Sequence, residues 1–458
     1  MKNLGFLFAI AMWTNTPARA DQVQYLAHAP QALAAFMDMA DGARKSVDIA
    51  TFIFEPCHSS TQLMLEKLAE KARQGVRVRL IVDALQQKSA REKILSDYAA
   101  RAGLRIKYYN RGEANLRLHI KMMVVDNERY ISGGRNISDE YFGLSQENNY
   151  VDRDLRVEGA SALQATAVFE ELWASKTSAE GTGVARRFPG WQTACAKEAK
   201  PAVGIEAVRE YLRREQAAQI ASAPVHSCAT SFTADAPDFA HMKYGGGNPQ
   251  EVGSDNTYMN PARLNRKRAT KEILSFIKGA RQSLDMENWV YIPMWKLNQA
   301  IKEARDRGLS IRALTNEDIE DGPKVFREAM DYVIAKYAKR DSVKKMKIEL
   351  ISSKGALRAP HFELTPQDAP THLHGKIILR DRRDAVVSSY NLDARSYNTN
   401  LESVVTVRDC SALVADIETP FAELRAINAD DRASGRIPKK PAPSLAARLL
   451  AAISQAFL

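Results

Sequence analysis

The sequence predicts an α/β fold of two duplicated halves, each a mostly parallel mixed sheet flanked by helices, packed about a pseudo-two-fold axis. A repeat supports this prediction: GARKSVDIATFIF (42–54) and GARQSLDMENWVY (279–291) agree at Gly, Ala, Arg, Ser and Asp. After each copy come a helical stretch, a glycine and a strand of alternating residues, GVRVRLIVD and GLSIRALTN. That order is typical of a βαβ unit. A duplication is the simplest explanation.

The chain of 458 residues divides further by composition. We expect the first half over 21–178 and the second half over 262–430. The stretch 179–261 loses periodicity and collects Gly, Pro, Ser and polar residues, so it predicts a connecting loop region.

The two ends differ from the halves. Residues 1–20 combine a short apolar run with Ala18-Arg19-Ala20, which is typical of a cleaved export signal, with an uncleaved membrane anchor as the alternative. We therefore expect a periplasmic or secreted protein. The tail 431–458 predicts a short amphipathic helix that docks on its own domain or lies on a membrane surface. Its apolar residues recur every four positions at Leu445, Leu449, Ile453 and Phe457.

The charge balance favours an anionic partner. The formal net charge is +10, and loss of Lys2 and Arg19 with the signal would leave +8. Phospholipid headgroups and nucleic acid both fit such a surface, and plain solubility explains the charge equally well.

Four cysteines make disulfides feasible in an exported chain, with three pairings open. Cys195 and Cys228 are close enough in sequence to close a loop within the connecting region, and Cys57 and Cys410 lie in the two halves. The absence of CxxC or Cys/His ligand spacing argues against a structural zinc site.

Each half contains one His-x-Lys-x-x-x-x-Asp string, HIKMMVVD from His119 to Asp126 and HGKIILRD from His374 to Asp381. In a strand, the histidine and the lysine two residues later project to one face. Two chance matches in one chain are improbable.

The residues after each string predict a hairpin with a two-residue turn. Pairing Asp126 with Arg129 places Asn136 opposite His119. The same register in the second half places Asn391 opposite His374.

Two such sets suit attack on a phosphate diester. One neutral histidine attacks phosphorus while the other, protonated, donates to the leaving oxygen. The groups expected to hold the non-bridging oxygens are Lys121, Lys376, Asn136 and Asn391.

The acidic residues divide by position. Asp126 and Asp381 fall at the turns, which indicates turn formation and salt bridging more than catalysis. Glu402, and Asp152 or Asp154, lie in downstream strands where a carboxylate can orient an imidazole.

These strings, with GGRN at 133–136 and SSYN at 388–391, resemble the phospholipase D superfamily. The segments GGRNISDEYFG, DRD and SSYNLDARSYNTNLE are similar to those of bacterial cardiolipin synthases. The resemblance implies His119 as nucleophile, His374 as acid and a covalent phosphatidyl-histidine, with no cofactor or required metal. It also implies a phospholipid substrate at a membrane surface and a glycerol-like alcohol or water as acceptor. Gly134 departs from the Gly-Ser pattern that Ser389 keeps.

Two alternatives stay open. An exported nuclease would use the same histidine chemistry on nucleic acid, and a catalytically silent binding protein is disfavoured by the complete pairs of His, Lys and Asn. Trp289, Tyr291 and Trp295 suit a substrate entrance or simple packing, and His372 suits substrate contact or a buried role.

Overall fold

The computed structural model describes most of the chain. It covers residues 20–454 apart from 88, 111–115, 182–187, 199, 238–265, 321, 344–345, 354–362, 367–368, 436, 438–439 and 441. Nearly all of the expected export signal, the glycine-rich segment 245–248 and the end of the tail therefore lie outside the described residues.

Nineteen strands and twelve α-helices are found in the described residues. The strands are β1 Asp21–Leu26, β2 Ser46–Thr51, β3 Arg77–Asp83, β4 Arg105–Tyr109, β5 Arg117–Leu118, β6 Met122–Val125, β7 Arg129–Gly133, β8 Asn149–Val151, β9 Asp154–Glu158, β10 Ser178–Glu180, β11 Val225–Ala234, β12 Ser283–Asn288, β13 Ser310–Asn316, β14 Lys347–Ile351, β15 Thr371–Leu373, β16 Lys376–Arg380, β17 Asp384–Ser388, β18 Asn400–Leu401 and β19 Ser403–Arg408. The helices are α1 Ala29–Asp41, α2 Ser59–Arg73, α3 Ser89–Ala102, α4 Ala162–Ala174, α5 Trp191–Ala194, α6 Ile205–Ala221, α7 Arg268–Lys278, α8 Trp295–Asp306, α9 Lys324–Ser342, α10 Ala394–Asn398, α11 Ser411–Ala433 and α12 Leu445–Ser454.

Fifteen of the strands form one sheet, in the order β10-β4-β3-β2-β6-β7-β9-β1-β11-β19-β17-β16-β12-β13-β14. The order β4-β3-β2-β6-β7-β9-β1 of the first half is matched by β14-β13-β12-β16-β17-β19-β11 in the second. The antiparallel pair β1 and β11 lies where the two series meet. The duplication inferred from the repeat thus appears as two matching halves of a continuous sheet.

The sheet is mixed, but it is not mostly parallel as predicted. Parallel pairing is confined to β2-β3-β4 and β12-β13-β14, where helices connect the strands. The other neighbours are antiparallel. The hairpin after each His-x-Lys string causes this, because a tight turn can join only antiparallel strands.

The connecting region is more ordered than the predicted loop. Its described part contains helix α6 and the ten-residue strand β11 at the centre of the sheet. Val208, Tyr211 and Leu212 of α6 are buried at helical spacing, a periodicity that the sequence contained. In β11, Cys228, Phe232 and Ala234 are buried while their neighbours are mostly exposed or half-buried.

Helices cover both faces of the sheet. One face packs on α4 and α11 through a core shared by the two halves. The other face carries α1, α2 and α6 in the first half and α7 and α8 in the second. The tail helix α12 docks on α9 through Ala447 and Ala451, with Leu450 partly buried beside them, whereas Leu445 and Leu449 are exposed.

Two disulfides join segments distant in sequence, Cys57 to Cys195 and Cys228 to Cys410. The suggested pairing of Cys195 with Cys228 was wrong. Strand β11 carries Cys228 into the sheet beside β19, close to Cys410, whereas Cys195 lies at the end of α5. Among the described residues we find no helix with the length and apolar character that a membrane span requires.

Candidate active site

Each histidine of the repeated string is held against the opposite half of the molecule. Strand β5, just before His119, pairs in parallel with β18 of the second half. Strand β15, just before His374, pairs in parallel with β8 of the first half, and the backbone N–H of His374 donates to the carbonyl of Val151. These short crossed ladders bring both histidines to one cleft of about 330 Å³.

The imidazoles are oriented by crossed carboxylates. Nδ1 of His119 lies 2.9 Å from both carboxylate oxygens of Glu402, and Nδ1 of His374 bonds to Asp152. Because an ionised carboxylate can only accept, each Nδ1 carries the proton. Each Nε2 is then left free of the ring proton in the resting state. Of the carboxylates considered from the sequence, Glu402 and Asp152 therefore contact the histidines.

Asp154 has a different partner. Its carboxylate forms a fully buried ion pair with Arg135, at 2.6 Å. Arg135 also donates to the carbonyl of Asp152. Asp154 thus supports the backbone of the residue that contacts His374 and does not contact the imidazole.

The two lysines lie beside their histidines, but the predicted strand is interrupted there. His119 and Lys121 lie between β5 and β6, and His374 lies between β15 and β16. Nζ of Lys121 donates to the carbonyl of His119 at 2.7 Å. Nζ of Lys376 lies 3.0 Å from Nε2 of His374 and also bonds to its carbonyl. Both amino groups are buried behind the histidines and are not among the residues that line the cleft. Burial lowers the pKa of Lys121 well below its ordinary value.

Both asparagines line the cleft, but the predicted register was wrong. Val125 pairs with Arg129 and Arg380 with Asp384, one residue away from the predicted pairing in each half. Three residues, 126–128 and 381–383, separate the paired strands in place of the predicted two. The first two residues of each turn adopt positive φ, 57° and 61° at Asp126 and Asn127. The asparagines therefore reach the cleft from the segments after β7 and β17, beyond the ladder.

The two asparagine side chains differ in their surroundings. Oδ1 of Asn136 accepts from the backbone N–H of Ile53 at 3.2 Å. Oδ1 of Asn391 is buried with no hydrogen-bond partner among the described residues. Both side chains still face the cleft that contains the histidines.

Asp126 and Asp381 lie in the turns after β6 and β16, next to the first residues of β2 and β12. The Asp126 carboxylate accepts from the backbone N–H groups of Arg44, Lys45 and Ser46. Asp381 makes the equivalent bonds to residues 281–283. The last aspartate of each string thus binds the polar end of the GARKS or GARQS repeat, and neither residue lines the cleft.

The two halves differ at the position after β7 and β17. Ser389 donates its hydroxyl to Glu402, as the Gly-Ser pattern suggests. A Cβ at Gly134 would lie 2.2 Å from Oδ1 of Asp152. Glycine is required at 134 because the carboxylate of Asp152 occupies the space of a side chain.

Burial controls the protonation of this cluster. Desolvation lowers the pKa of His119 to about 4 and of His374 to about 3, although the adjacent carboxylates oppose the change. Burial also lowers the pKa of Lys376 to about 8. Burial raises the pKa of Asp152, but His374 and Lys376 outweigh it and bring that pKa down to about 2. Both imidazoles are therefore neutral at pH 7 before a substrate binds.

Aromatic residues form the walls beside the histidines. The Phe52 ring lies edge-on to His119 at 5.0 Å, and Trp289 lies 5.8 Å from His374. Phe52 and Trp289 occupy equivalent positions of the two repeats. Of the three aromatics considered earlier, Trp289 lines the cleft, whereas Tyr291 is buried and bonds to Asp341. Trp295 packs on Tyr397.

A buried ion pair behind His374 was not anticipated. Arg153 bonds to Glu287 across the two halves at 3.3 Å. A Cβ at Gly375 would lie 1.9 Å from the Glu287 carboxylate, which explains glycine between His374 and Lys376. Arg153 lies in the DRD segment and Glu287 in the ENW segment, but their charges alone do not show in the sequence that the two residues pair.

His372 is buried and is not among the cleft-lining residues. Its Nδ1 lies 2.8 Å from Oδ1 of Asn148, and its Nε2 lies 3.6 Å from Glu320. The buried alternative for this residue therefore agrees with the structure.

The fold and the paired histidines together define a duplicated α/β enzyme of the phospholipase D type. The family model described as "Cardiolipin synthase, PLD-like domain" matches residues 36–173 and 273–425, together more than half of the chain. The chain belongs to this family and is an enzyme of the phospholipase D superfamily.

Individual relatives are more distant. An uncharacterized protein of Helicobacter pylori is 25% identical over 395 residues, covering 79% of this chain and 71% of that protein. Cardiolipin synthase 1 of Bacillus cereus is 22% identical over 406 residues, covering 87% of this chain and 65% of that protein. The crystal structure of phosphatidylserine synthase from Haemophilus influenzae has a TM-score of 0.63 at 13% identity, covering 95% and 94% of the two chains. This structural likeness supports the fold.

Proposed function

We propose that the chain transfers phosphatidyl groups through a phosphohistidine intermediate, as a cardiolipin synthase-like transferase or as a hydrolytic phospholipase D. The supporting observation is the crossed arrangement in one cleft, where each histidine is bound by a carboxylate of the other half. Neither half alone provides an oriented imidazole.

In the proposed first step, Nε2 of His119 attacks phosphorus and a nitrogen–phosphorus bond forms. The bond from phosphorus to the headgroup oxygen breaks, and that oxygen takes a proton from Nε2 of His374. His374 must gain this proton when the substrate binds, and the negative diester favours that gain. Lys121 and Lys376 offset the charge that builds on the non-bridging oxygens.

In the second step, an alcohol or water gives its proton to His374 and its oxygen bonds to phosphorus. The nitrogen–phosphorus bond to His119 breaks, and His374 releases its proton to solvent as the product leaves, which restores the free enzyme. Transfer and hydrolysis differ only in the acceptor. A glycerol-like alcohol gives the transferase and water gives the hydrolase.

A phospholipid suits the cleft better than nucleic acid does. Four acidic residues and one arginine are found among its described lining residues, namely Glu55, Glu140, Glu147, Asp393 and Arg395. A polyanion would meet these carboxylates at several phosphates, whereas a lipid brings one diester to the buried lysines. The family and the Bacillus relative point the same way.

We also propose that the protein is exported. Two disulfides fit an oxidising compartment, because cytosolic thiols are kept reduced. Protease protection in intact cells, before and after release of the periplasm, tests this location.

One assay separates the activities. The purified chain is incubated with labelled phosphatidylglycerol, with and without glycerol, and separately with a short DNA duplex. Cardiolipin as product supports the transferase, and phosphatidic acid alone supports the hydrolase. Cleaved DNA together with unreacted lipid would contradict the proposal and support the nuclease.

A further inference from the structure

Exposed apolar side chains concentrate on one pair of helices. Eight large hydrophobic residues are exposed among the described residues, and five of them belong to α9, its C-cap or α12. They are Val325, Tyr332, Val343, Leu445 and Leu449. Apolar residues grouped in this way usually mark a contact surface.

On α9 the exposed residues follow a single stripe. Val325, Tyr332, Lys336, Lys339 and Val343 are separated by seven, four, three and four residues, a spacing that keeps them on one helix face. Every exposed charged side chain of α9, which is described along its whole length, is a lysine. The stripe is thus both apolar and basic.

Helix α12 is apolar on two sides. Ala447 and Ala451 are fully buried against Val333 and Ile334 of α9. On the outer side, Leu445 is 73% exposed and Leu449 is 57% exposed. Docking on the domain therefore uses Ala447, Ala451 and Leu450, while Leu445 and Leu449 stay in contact with solvent.

The charge of α12 matches that of the stripe. Its single charged residue is Arg448, which is exposed between the two leucines, and the helix contains no acidic residue. Leucines interleaved with basic residues are typical of helices that lie in the interface of anionic bilayers.

The helix pair also lies next to the candidate active site. The core under α12 includes Val290 and Ile292, and Trp289 packs against the same core. Trp289 lines the cleft and lies 5.8 Å from His374. A bilayer held on this helix pair would thus be connected to the cleft through one contiguous core.

We propose that α9 and α12 form a docking surface for anionic phospholipid bilayers, with Leu445 and Leu449 entering the interface and Lys336, Lys339 and Arg448 binding headgroups. This inference deepens the proposed function, on which it rests, because a phosphatidyl substrate is held in a bilayer that the protein must contact. A second copy of the chain and a protein partner are the other occupants that the test must separate.

The test is sedimentation of the full chain with vesicles of phosphatidylglycerol and phosphatidylcholine. Leu445→Ser/Leu449→Ser is expected to weaken vesicle binding by at least about tenfold, because two large apolar groups lose their transfer into the interface. Leu163→Ser is the matched control, since Leu163 is 63% exposed on α4 in the other half, and it should bind like the unaltered chain.

The charge is tested separately. Lys336→Glu/Lys339→Glu should lose binding to phosphatidylglycerol vesicles, and salt should weaken binding of the unaltered chain. Vesicle binding that is unchanged in both double variants, or lowered equally by Leu163→Ser, would overturn the surface. If, without lipid, the unaltered chain self-associates and Leu445→Ser/Leu449→Ser is monomeric, the surface would instead be assigned to contact with a second copy.

Turnover separates this inference from the proposed function. Leu445→Ser/Leu449→Ser should turn over monomeric dihexanoyl phosphatidylglycerol at the unaltered rate while its rate on vesicles falls. If the unaltered chain turned over neither substrate but vesicle binding still depended on the leucines, the function would fail and the surface would stand. Equal rates of both proteins on vesicles would overturn the surface alone.

Discussion

At the scale of single residues, the site consists of two histidines that are each completed by the opposite half. Glu402 contacts His119, and Asp152 contacts His374. Buried carboxylates of this kind fix the tautomer and the ring orientation of an imidazole. Glu402 and Asp152 are therefore positioning residues, and their effect reaches the substrate through the histidines.

Glu402→Gln and Asp152→Asn should each lower kcat by about 10- to 100-fold with little change in KM. An amide can present N–H to Nδ1 and so disturbs the tautomer that leaves Nε2 free. Steady-state kinetics on labelled phosphatidylglycerol measures the effect, and Glu128→Gln at an exposed ion pair is the control. Unchanged kcat in both variants would remove the positioning role.

His372 should contribute a pH-dependent term to stability. Burial lowers its pKa to about 4, although Asp318 opposes the change. The unfolded chain takes up this proton near pH 6.5, at about the ordinary histidine value. The unfolding free energy that depends on neutral His372 is thus fully present above pH 6.5 and is lost as the pH falls towards 4.

The expected outcome is a pH-dependent difference in unfolding free energy between the unaltered chain and His372→Asn. From pH 7 to pH 4, the unaltered chain should lose up to about 3 kcal/mol of unfolding free energy relative to His372→Asn. Urea unfolding across this range measures the difference. A difference that does not vary with pH would show that His372 is not held neutral.

At the scale of secondary-structure elements, each repeated His-x-Lys-x-x-x-x-Asp string contains both residues of the candidate active site and a residue that stabilises the fold. The histidine lines the cleft and the lysine lies beside it, while the final aspartate binds the N–H groups that begin β2 or β12. The pKa of Asp126 is lowered, because its backbone hydrogen bonds outweigh burial. The aspartates are thus ionised structural anchors.

Asp126→Ala should lower the unfolding free energy by about 1–3 kcal/mol, because three backbone donors lose their acceptor. Asp381→Ala should behave alike, since its contacts are equivalent. Denaturant unfolding measures stability, and turnover per folded molecule should stay near that of the unaltered chain. Normal stability with lost turnover would instead assign the aspartates to the chemistry.

What the sequence allowed us to predict depended on the length of each pattern. The repeat and the βαβ units extend over many residues, so their signals were clear. The hairpin register failed because each turn has three residues between the paired strands and not two, and one extra turn residue shifts the whole ladder. The crossed strands β5 and β18 have two residues each, too few for any periodicity.

At the scale of the whole molecule, one sheet and one cleft depend on both halves. The seam of β1 and β11 comes partly from the region expected to be a loop. Flanks of Ala, Ser, Pro and Asp concealed this strand in the sequence, and the cysteine pairing depends on its position. Disulfide partners follow from the tertiary fold and are not fixed by cysteine spacing.

Cys228→Ser/Cys410→Ser should lower the unfolding free energy by about 2–4 kcal/mol. The bridge closes a loop with a sequence separation of 182 residues, so its loss frees a large part of the unfolded chain. Guanidinium unfolding with and without a reductant measures this, and the two proteins should have similar stability when reduced, because the reductant also opens Cys57–Cys195 in both. No change in stability would show that the bridge is dispensable.

The central claim is that two histidines from two halves act on one phosphorus atom. The most direct measurement is rapid acid-free quenching of the enzyme with phosphorus-labelled phosphatidylglycerol, followed by mapping of the labelled peptide. We expect a transient adduct on His119, accumulation of that adduct in His374→Ala with a good leaving group, and no adduct in His119→Ala. Adduct formation in His119→Ala, or unaltered rates in both variants, would contradict the claim.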